Sequence, residues 1–497
     1  MDTALKIDKT EYLAEVWRGS GVRELKEEYV VPDSMPDVSE ILSAQGILTV
    51  QGKDTNTGAV EIKATASLCF LYAAEDGSLR GLELALPAEL RLDAPDADLD
   101  CHTVADVRLR TVETRIVNSR KLAIRAEVEA EAACYRSAVL ELAAGTVQEE
   151  GVQLLRAQTE TFLIADVREK TFALTDDYAF PAGCPVDAHI LSRRAEVLTE
   201  DVQFVGGKVL FRGRIRSELL FSDREEGRCF FGRYETEFSQ LMEMATDGDD
   251  VRPELTVFLT GAYYDLPEYG QEGERIRAEF HVAAQCVCRE HRTLAYLSDL
   301  YSNRTELQPQ RTELRLVESV RSVSSRQTVA DRVEGIPAEG ELICGTADAG
   351  GIVPESDCVR TSVSIRLLYR LPDGSSCSVR GRSAAEFTLD LSPGERLRDV
   401  RVRVADLYCV PGTGDVRVSL QMEALAERET VIRPVCAVTE DEEAWRGRAK
   451  SPSAVLIWTE PGVDLWTLAR RYHSTVDDIL AVNGDRRHGL LLIPKGR

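Results

Sequence analysis

The chain has 497 residues, with 84 acidic against 60 basic side chains and a formal net charge of -24. That balance excludes a general nucleic-acid binder, which needs a basic face to displace counterions. It also excludes docking on anionic lipid through a polybasic patch.

The first residues, Met1 to Lys9, lack the basic-then-apolar pattern of a secretory signal. No apolar run approaches the ~20 residues that span a bilayer. The expectation is a cytoplasmic protein without membrane insertion. Residues 1–20 read as an N-terminal segment, with a short helix over residues 10–20. Asp33 and Asp37 flank Pro36 in a loop. They fit turn chemistry, as Asx caps before a helix near Ser39 to Leu42, better than a binding role.

An internal repeat follows. Leu68-Cys-Phe-Leu-Tyr72 runs into Glu75-Asp-Gly77, and Ser217-Glu-Leu-Leu-Phe221 into Glu225-Glu-Gly227. Arg366-Leu-Leu-Tyr369 runs into Pro372-Asp-Gly374. The aromatic anchors stand 149 and then 148 residues apart. Each reads as an apolar strand entering a hairpin turn. Ile124-Arg-Ala-Glu-Val128 recurs as Ile276-Arg-Ala-Glu-Phe280 and, more weakly, as Val416-Arg-Val-Ser-Leu420. Ile41-Leu-Ser43 recurs as Ile190-Leu-Ser192, with no clear counterpart in the third unit.

The strands show period-two alternation. Ile124, Ala126, Val128, Ala130, Ala132 and Cys134 fall on one face, with Arg125, Glu127, Glu129 and Glu131 on the other. The second copy places Ile276, Ala278, Phe280, Val282, Ala284, Cys286 and Cys288 on one face, and the third Val416, Val418, Leu420, Met422 and Ala424. A one-residue slip would bury four charges, so the register is strongly specified. The expected fold is mainly β: three tandem antiparallel, sandwich-like units over residues 21–148, 149–300 and 301–436. A further helix is expected near residues 292–303. Residues 437–453 are charged, end in Ser-Pro-Ser, and read as an exposed linker.

The last segment, 454–497, has a different pattern. From Pro452 to Arg497 there are five acids and six bases. Val455-Leu-Ile-Trp458 is a short strand. Asp464 can cap a helix whose stripe is Leu465, Leu468, Ala469 and Tyr472. Ser474 or Thr475 caps a second helix carrying Val476, Ile479 and Leu480, which Asn483-Gly484 stops. Leu490-Leu-Leu-Ile493 closes as a second strand, giving β-α-α-β. Trp466 lies one position off the helix stripe, so it is open to contact with a partner or to packing on the linker.

No catalytic or metal pattern emerges. The twelve cysteines and six histidines are scattered, with no zinc-finger spacing and no His-x-x-x-His pair. The cysteines read as small buried hydrophobes. There is no Gly-x-Ser-x-Gly elbow and no phosphate-cradling loop. Neither an enzyme nor a cofactor is expected.

The tail resembles a LysM domain through Glu460-Pro-Gly462, Leu465-Trp466-x-Leu468-Ala469-x-x-Tyr472, Thr475 to Leu480, Asn483 and Leu492-Ile-Pro494. The family binds N-acetylglucosamine glycans between two loops, which correspond here to Glu460–Asp464 and Asn483–Gly489. Gly462-Val-Asp464 departs from the usual Gly-Asp-Thr or Gly-Asp-Ser. The binding residues this implies are Pro461, Gly462, Asp464, Trp466, Asn483 and Gly484. The three repeats resemble the SPOCS domain through Val31-Pro-Asp-Ser-Met-Pro-Asp37, Ile41-Leu42, the strand ending at Tyr72 and the stretch Asn118-Ser-Arg120 to Ala132. SPOCS-like units followed by one LysM domain are the architecture of a clostridial group of spore coat morphogenetic proteins. The resemblance implies a non-enzymatic scaffold at the forespore surface in the mother cell, its tail gripping a partner like the coat ATPase SpoIVA. Peptidoglycan binding at the spore cortex or cell wall is the alternative, and a phage tail or injection-apparatus hub a third.

Overall fold

The computed structural model describes residues 4–147, 150–224, 227–267, 275–410, 412–441, 453–484 and 486–494. The body is built of three units with one topology, and every strand pairing is antiparallel. Unit 1 comprises β1 (Leu5–Val30), β2 (Val38–Asn56), β3 (Gly58–Ala74), β4 (Leu79–Ala94), β5 (His102–Asn118) and β6 (Lys121–Thr146). It forms two sheets, ordered β2-β3-β4 and β1-β6-β5. Unit 2 comprises β7 (Val152–Ala179), β8 (His189–Val205), β9 (Lys208–Ser222), β10 (Cys229–Glu243), β11 (Val251–Asp265) and β12 (Arg275–Ser302), in sheets β8-β9-β10 and β7-β12-β11, the latter joined to that of unit 1 at Leu13 and Ile164 as one six-stranded sheet, β11-β12-β7-β1-β6-β5. In unit 3, β15 (Glu341–Pro354), β16 (Cys358–Arg370) and β17 (Ser376–Thr388) form one sheet. The other is formed by β14 (Leu314–Arg332), β19 (Asp415–Ile432) and β18 (Glu395–Cys409). Here the long outer strands are interrupted, so β13 (Leu307–Arg311) and β20 (Val435–Glu440) continue them as a separate pair.

The alternating strands lie as their pattern requires. Ile124, Ala126, Val128 and Ala130 on β6 are buried, as are Ile276, Ala278, Phe280 and Val282 on β12 and Val416, Val418, Leu420 and Met422 on β19. Each stripe packs on its own unit's second sheet, giving three separate sandwich cores. Cys134, Cys286 and Cys288 continue the apolar faces, and all twelve cysteines are free. The anchors Tyr72, Phe221 and Tyr369 are fully buried just before their hairpins. Gly77 and Gly374 supply the positive φ those turns need. Glu225 and Glu226 of the middle turn lie outside the described residues.

Several boundaries differ from expectation. Residues 10–20 are not helical but part of β1, which runs from Leu5. Residues 5–20 thus belong to unit 1, which begins before residue 21, and residues 1–3 lie outside the described residues. Residues 292–303 are likewise not a helix: β12 continues to Ser302. Both strands carry a β-bulge there, between Glu15 and Trp17 and between Leu297 and Asp299. An extra residue breaks the alternation and spaces apolar side chains as a helix would. No helix forms near Ser39 to Leu42, because β2 starts at Val38. Residues 437–440 of the expected linker belong to β20, and 442–452 lie outside the described residues.

The third copy of the Ile-Leu-Ser landmark is Leu342-Ile-Cys344. Register places Ile41, Ile190 and Leu342 opposite Tyr72, Phe221 and Tyr369. Each strand bulges at the next residue, Leu42, Leu191 or Ile343. Those residues meet with Leu71, Leu220 and Leu368 in a cluster shared by all three units. The repeated bulge therefore aims an apolar side chain at the junction of the units. The seams are tight: a Cβ on Gly81 of β4 would lie 2.3 Å from the Leu191 carbonyl oxygen of β8. Ion pairs also cross them. Arg18 of unit 1 meets Asp399 of unit 3 at 2.8 Å, Arg398 meets Glu15 at 2.8 Å, and Arg401 reaches Asp106 at 3.1 Å and the Thr256 hydroxyl of unit 2 at 2.9 Å.

Candidate functional site

After the third unit the chain forms β21 (Ala454–Thr459), α1 (Leu465–Tyr472), α2 (Val476–Asn483) and β22 (Gly489–Pro494). Asp464 caps α1, accepting from the backbone N–H groups of Trp466 at 3.1 Å and Thr467 at 3.2 Å and from the Thr467 hydroxyl at 2.7 Å. Those donors, the hydroxyl foremost, hold its carboxyl below the usual range. Of the two candidate caps for α2, Thr475 is the one used, its hydroxyl accepting from the Asp478 N–H at 2.9 Å. Gly484, at φ +60°, ends that helix. Leu468, Ala469, Ile479, Leu491 and Ile493 form the small core between helices and hairpin.

Tyr301 of β12 belongs to that same core. Its ring lies 4.9 Å from the Trp466 ring in an edge-on contact, and its hydroxyl donates to the Ser474 carbonyl at 2.9 Å. Burial pushes the Tyr301 phenol up, so it stays a donor. Beside it, the buried Asp299 accepts from the Trp466 indole N–H at 2.8 Å, from Arg470 at 2.8 and 2.9 Å and from Arg311 at 2.6 Å. Trp466 thus seats the tail on unit 2, while residues 442–452 of the expected linker lie outside the described residues. The β-bulge before Asp299 belongs to this seat.

The residues expected to bind are distributed as follows. Pro461 and Gly462 are exposed in the turn before α1, Gly462 at φ +92°. Thr459 pairs with Gly489, so the loops 460–464 and 484–488 leave the same end of the hairpin. The Asn483 amide donates to the carbonyls of Ile479 and Leu492 at 2.7 Å each, and its oxygen accepts from the Leu492 N–H at 2.8 Å. Asn483 and Asp464 are therefore engaged within the tail and Trp466 with the body, leaving Pro461, Gly462 and Gly484 open.

The structure adds a surface the expected set lacks. Leu456 pairs with Leu492 and Trp458 with Leu490 across the hairpin, on the face turned away from the helices. Their exposures are 60%, 38%, 77% and 46%. Four adjacent apolar side chains in water mark a contact surface rather than scattered exposure. The signal was present in sequence: Val455–Trp458 and Leu490–Ile493 are unbroken apolar runs, so both faces of the hairpin are apolar although the helices cover only one.

The stretch from Val31 to Asp37 is held by a clamp. Arg120 reaches back across the loop before β2, donating to the carbonyls of Val31, Pro32 and Met35 and to Asp33 and Asp37, all between 2.7 and 3.2 Å. Asp37 also accepts from the Ser119 hydroxyl at 2.7 Å. Unit 2 repeats the turn: the Cys184 N–H donates to the Pro181 carbonyl at 2.9 Å, as Met35 does to Pro32. Pro181 and Pro185 stand 149 residues after Pro32 and Pro36. Among the described residues no group of three or more His, Cys, Asp or Glu is placed to hold a metal, and no helix is long and apolar enough to cross a membrane. Comparison with protein-family models, curated proteins and solved structures finds no match to this chain.

Proposed function

We propose that the chain is a non-enzymatic, SipL-like morphogenetic scaffold of spore coat assembly, acting in the mother-cell cytoplasm at the forespore surface. Its three SPOCS-type units form the body, and its LysM-type tail docks on a coat protein partner, a SpoIVA-like ATPase. The observation that carries this reading is the exposed apolar face of Leu456, Trp458, Leu490 and Leu492. A tryptophan ringed by leucines suits a protein partner, where large aromatic side chains supply most of the binding energy. The tail is anchored to unit 2 by Asp299 and Tyr301 through its helices, which leaves that face outward.

The test is capture of the partner by the full chain, by a chain lacking residues 452–497, and by Trp458→Ala. Trp458 is 77% exposed, so its removal leaves the tail folded. Loss of capture in both altered chains supports the scaffold. A second reading, binding of peptidoglycan through N-acetylglucosamine glycan, is favoured by the open turn at Pro461 and Gly462 beside Gly484. Retention of the chain on purified peptidoglycan, with the coat partner ignored, replaces the scaffold reading with that one.

A further inference from the structure

Where the three units meet, the body encloses an open basin of about 1510 Å³. Among the described residues, none of the tail lines it. Its wall carries eleven Arg or Lys against six Asp or Glu, in a chain whose net charge is -24. Several of the bases are neutralised: Arg194 pairs with Asp348 at 2.7 Å, and Arg108 and Arg401 share Asp106 at 3.1 Å. Among the described residues, Arg115, Arg366, Arg380, Arg382 and Arg403 make no ion pair.

Three of these form one patch. Arg366 on β16 stands directly opposite Arg380 on β17, and Arg382 lies two residues further along the same face. Like charges facing each other across a strand pair are destabilising unless an anion joins them. Arg366 donates to the Ser43 hydroxyl at 2.9 Å and Arg380 to the Ile41 carbonyl at 3.4 Å, both in unit 1, while the buried Arg366 Nε has no partner. Burial and the charge of Arg380 both oppose the Arg366 cation. The same basin is lined by β5, through all of residues 106–115. Among the described residues β5 is an edge strand, paired only with β6.

We propose that the basin receives an extended peptide segment, rich in glutamate and aspartate, from a partner protein. The guanidinium fork matches a carboxylate with two parallel hydrogen bonds. The edge of β5 offers main-chain groups to which an extended chain adds by strand pairing. A small oxyanion fits less well, because the volume exceeds the ~300–1,000 Å³ of small-molecule sites and the guanidiniums without an ion pair are spread over four strands, β5, β16, β17 and β18. Nucleic acid fits less well again: among the described residues Phe258 is the single aromatic side chain in the wall, and a long polyanion meets the acidic exterior. A short peptide does not, because charges beyond about 8 Å are screened at physiological salt.

The experiment is fluorescence anisotropy on the full chain with a labelled peptide of alternating Glu and Val, about ten residues long to match the exposed strand. The expected result is saturable binding that weakens as salt rises from about 50 to about 200 mM. Arg380→Glu combined with Arg382→Glu should weaken it at least roughly tenfold, through two lost charge-assisted contacts. Both side chains are exposed, so the fold is retained, as circular dichroism will verify. Absence of binding overturns the proposal. So does equal binding of a Gln-Val peptide or undiminished binding by the charge-reversed chain. Tighter binding of inorganic tripolyphosphate or of an oligothymidylate reassigns the basin to that class and overturns it as well.

Discussion

Asp299→Ala tests the seat of the tail. Asp299 is 8% exposed and holds the Trp466 indole N–H and two arginines. Removing one partner of a buried pair costs about 3–5 kcal/mol. The Arg470 and Arg311 side chains are 38% and 36% exposed, so water compensates them in part and the loss falls to about 2–3 kcal/mol. The orphaned indole N–H adds about 1 kcal/mol. What remains is the Tyr301–Ser474 hydrogen bond, the His473 contacts with the Ser302 carbonyl at 3.1 Å and with Glu306 at 3.5 Å, and the edge-on ring contact, the last worth about 0.5–1.5 kcal/mol. A shift of about 3 kcal/mol changes the docking equilibrium more than a hundredfold. Hydrogen exchange read by mass spectrometry should show protection falling at residues 299–302 and 465–474, while β3, β9 and β16 stay protected. Arg470→Ala should add little once Asp299 is gone, because the two act as one contact. Unchanged exchange at 465–474, or full additivity with Arg470→Ala, would refute this account of the seat.

Leu468→Ala empties part of the tail's small core and should cost about 2–5 kcal/mol; the tail should melt below the body in thermal unfolding, and a single unshifted transition would argue against the packing described. Gly81→Ala forces a Cβ against the Leu191 carbonyl and should cost about 1–3 kcal/mol, lowering the denaturant midpoint without changing the β6 register. Arg120→Ala removes the side-chain hydrogen bonds from Arg120 to the loop before β2 and leaves only the Val31 N–H bond to its carbonyl, so proteolysis should speed up at 31–37 and not elsewhere. Burial pushes the Asp106 carboxyl up, but Arg401, Arg108 and Arg403 outweigh it, so its folded pKa lies below 3.8. Asp106 therefore contributes stability above about pH 3.8 that is lost as pH falls through the lower folded value. Asp106→Asn should flatten the acid limb of the stability curve; an unchanged limb would remove Asp106 from the seams.

The strands of the body were legible because alternation is a local consequence of burying one face, and β6, β12 and β19 bury theirs completely. The anchors Tyr72, Phe221 and Tyr369 were legible for a similar reason, each preceding a hairpin with a positive-φ glycine or its counterpart. What sequence hid is the bulges. At Leu42, Leu191 and Ile343 one extra residue turns an apolar side chain out of its own sandwich and toward the other units. Nothing in the spacing of a single strand announces this, and Leu342-Ile-Cys344 shares too few letters with Ile41-Leu-Ser43 to be matched. At Glu15–Trp17 and Leu297–Asp299 the same device imitates a helix. The tail's caps were readable because Asp464, Thr475 and Gly484 act within a few residues of where they stand. Its seat was not, because Asp299 and Tyr301 lie more than 160 residues away along the chain and reach the tail only after the three units have folded around one another. The arginine basin is hidden for the same reason. Arg366, Arg380 and Arg382 are ordinary polar positions on the outer face of an alternating sheet, and they become part of a concentrated positive surface only where the units meet, in a basin that β5 of the first unit also lines.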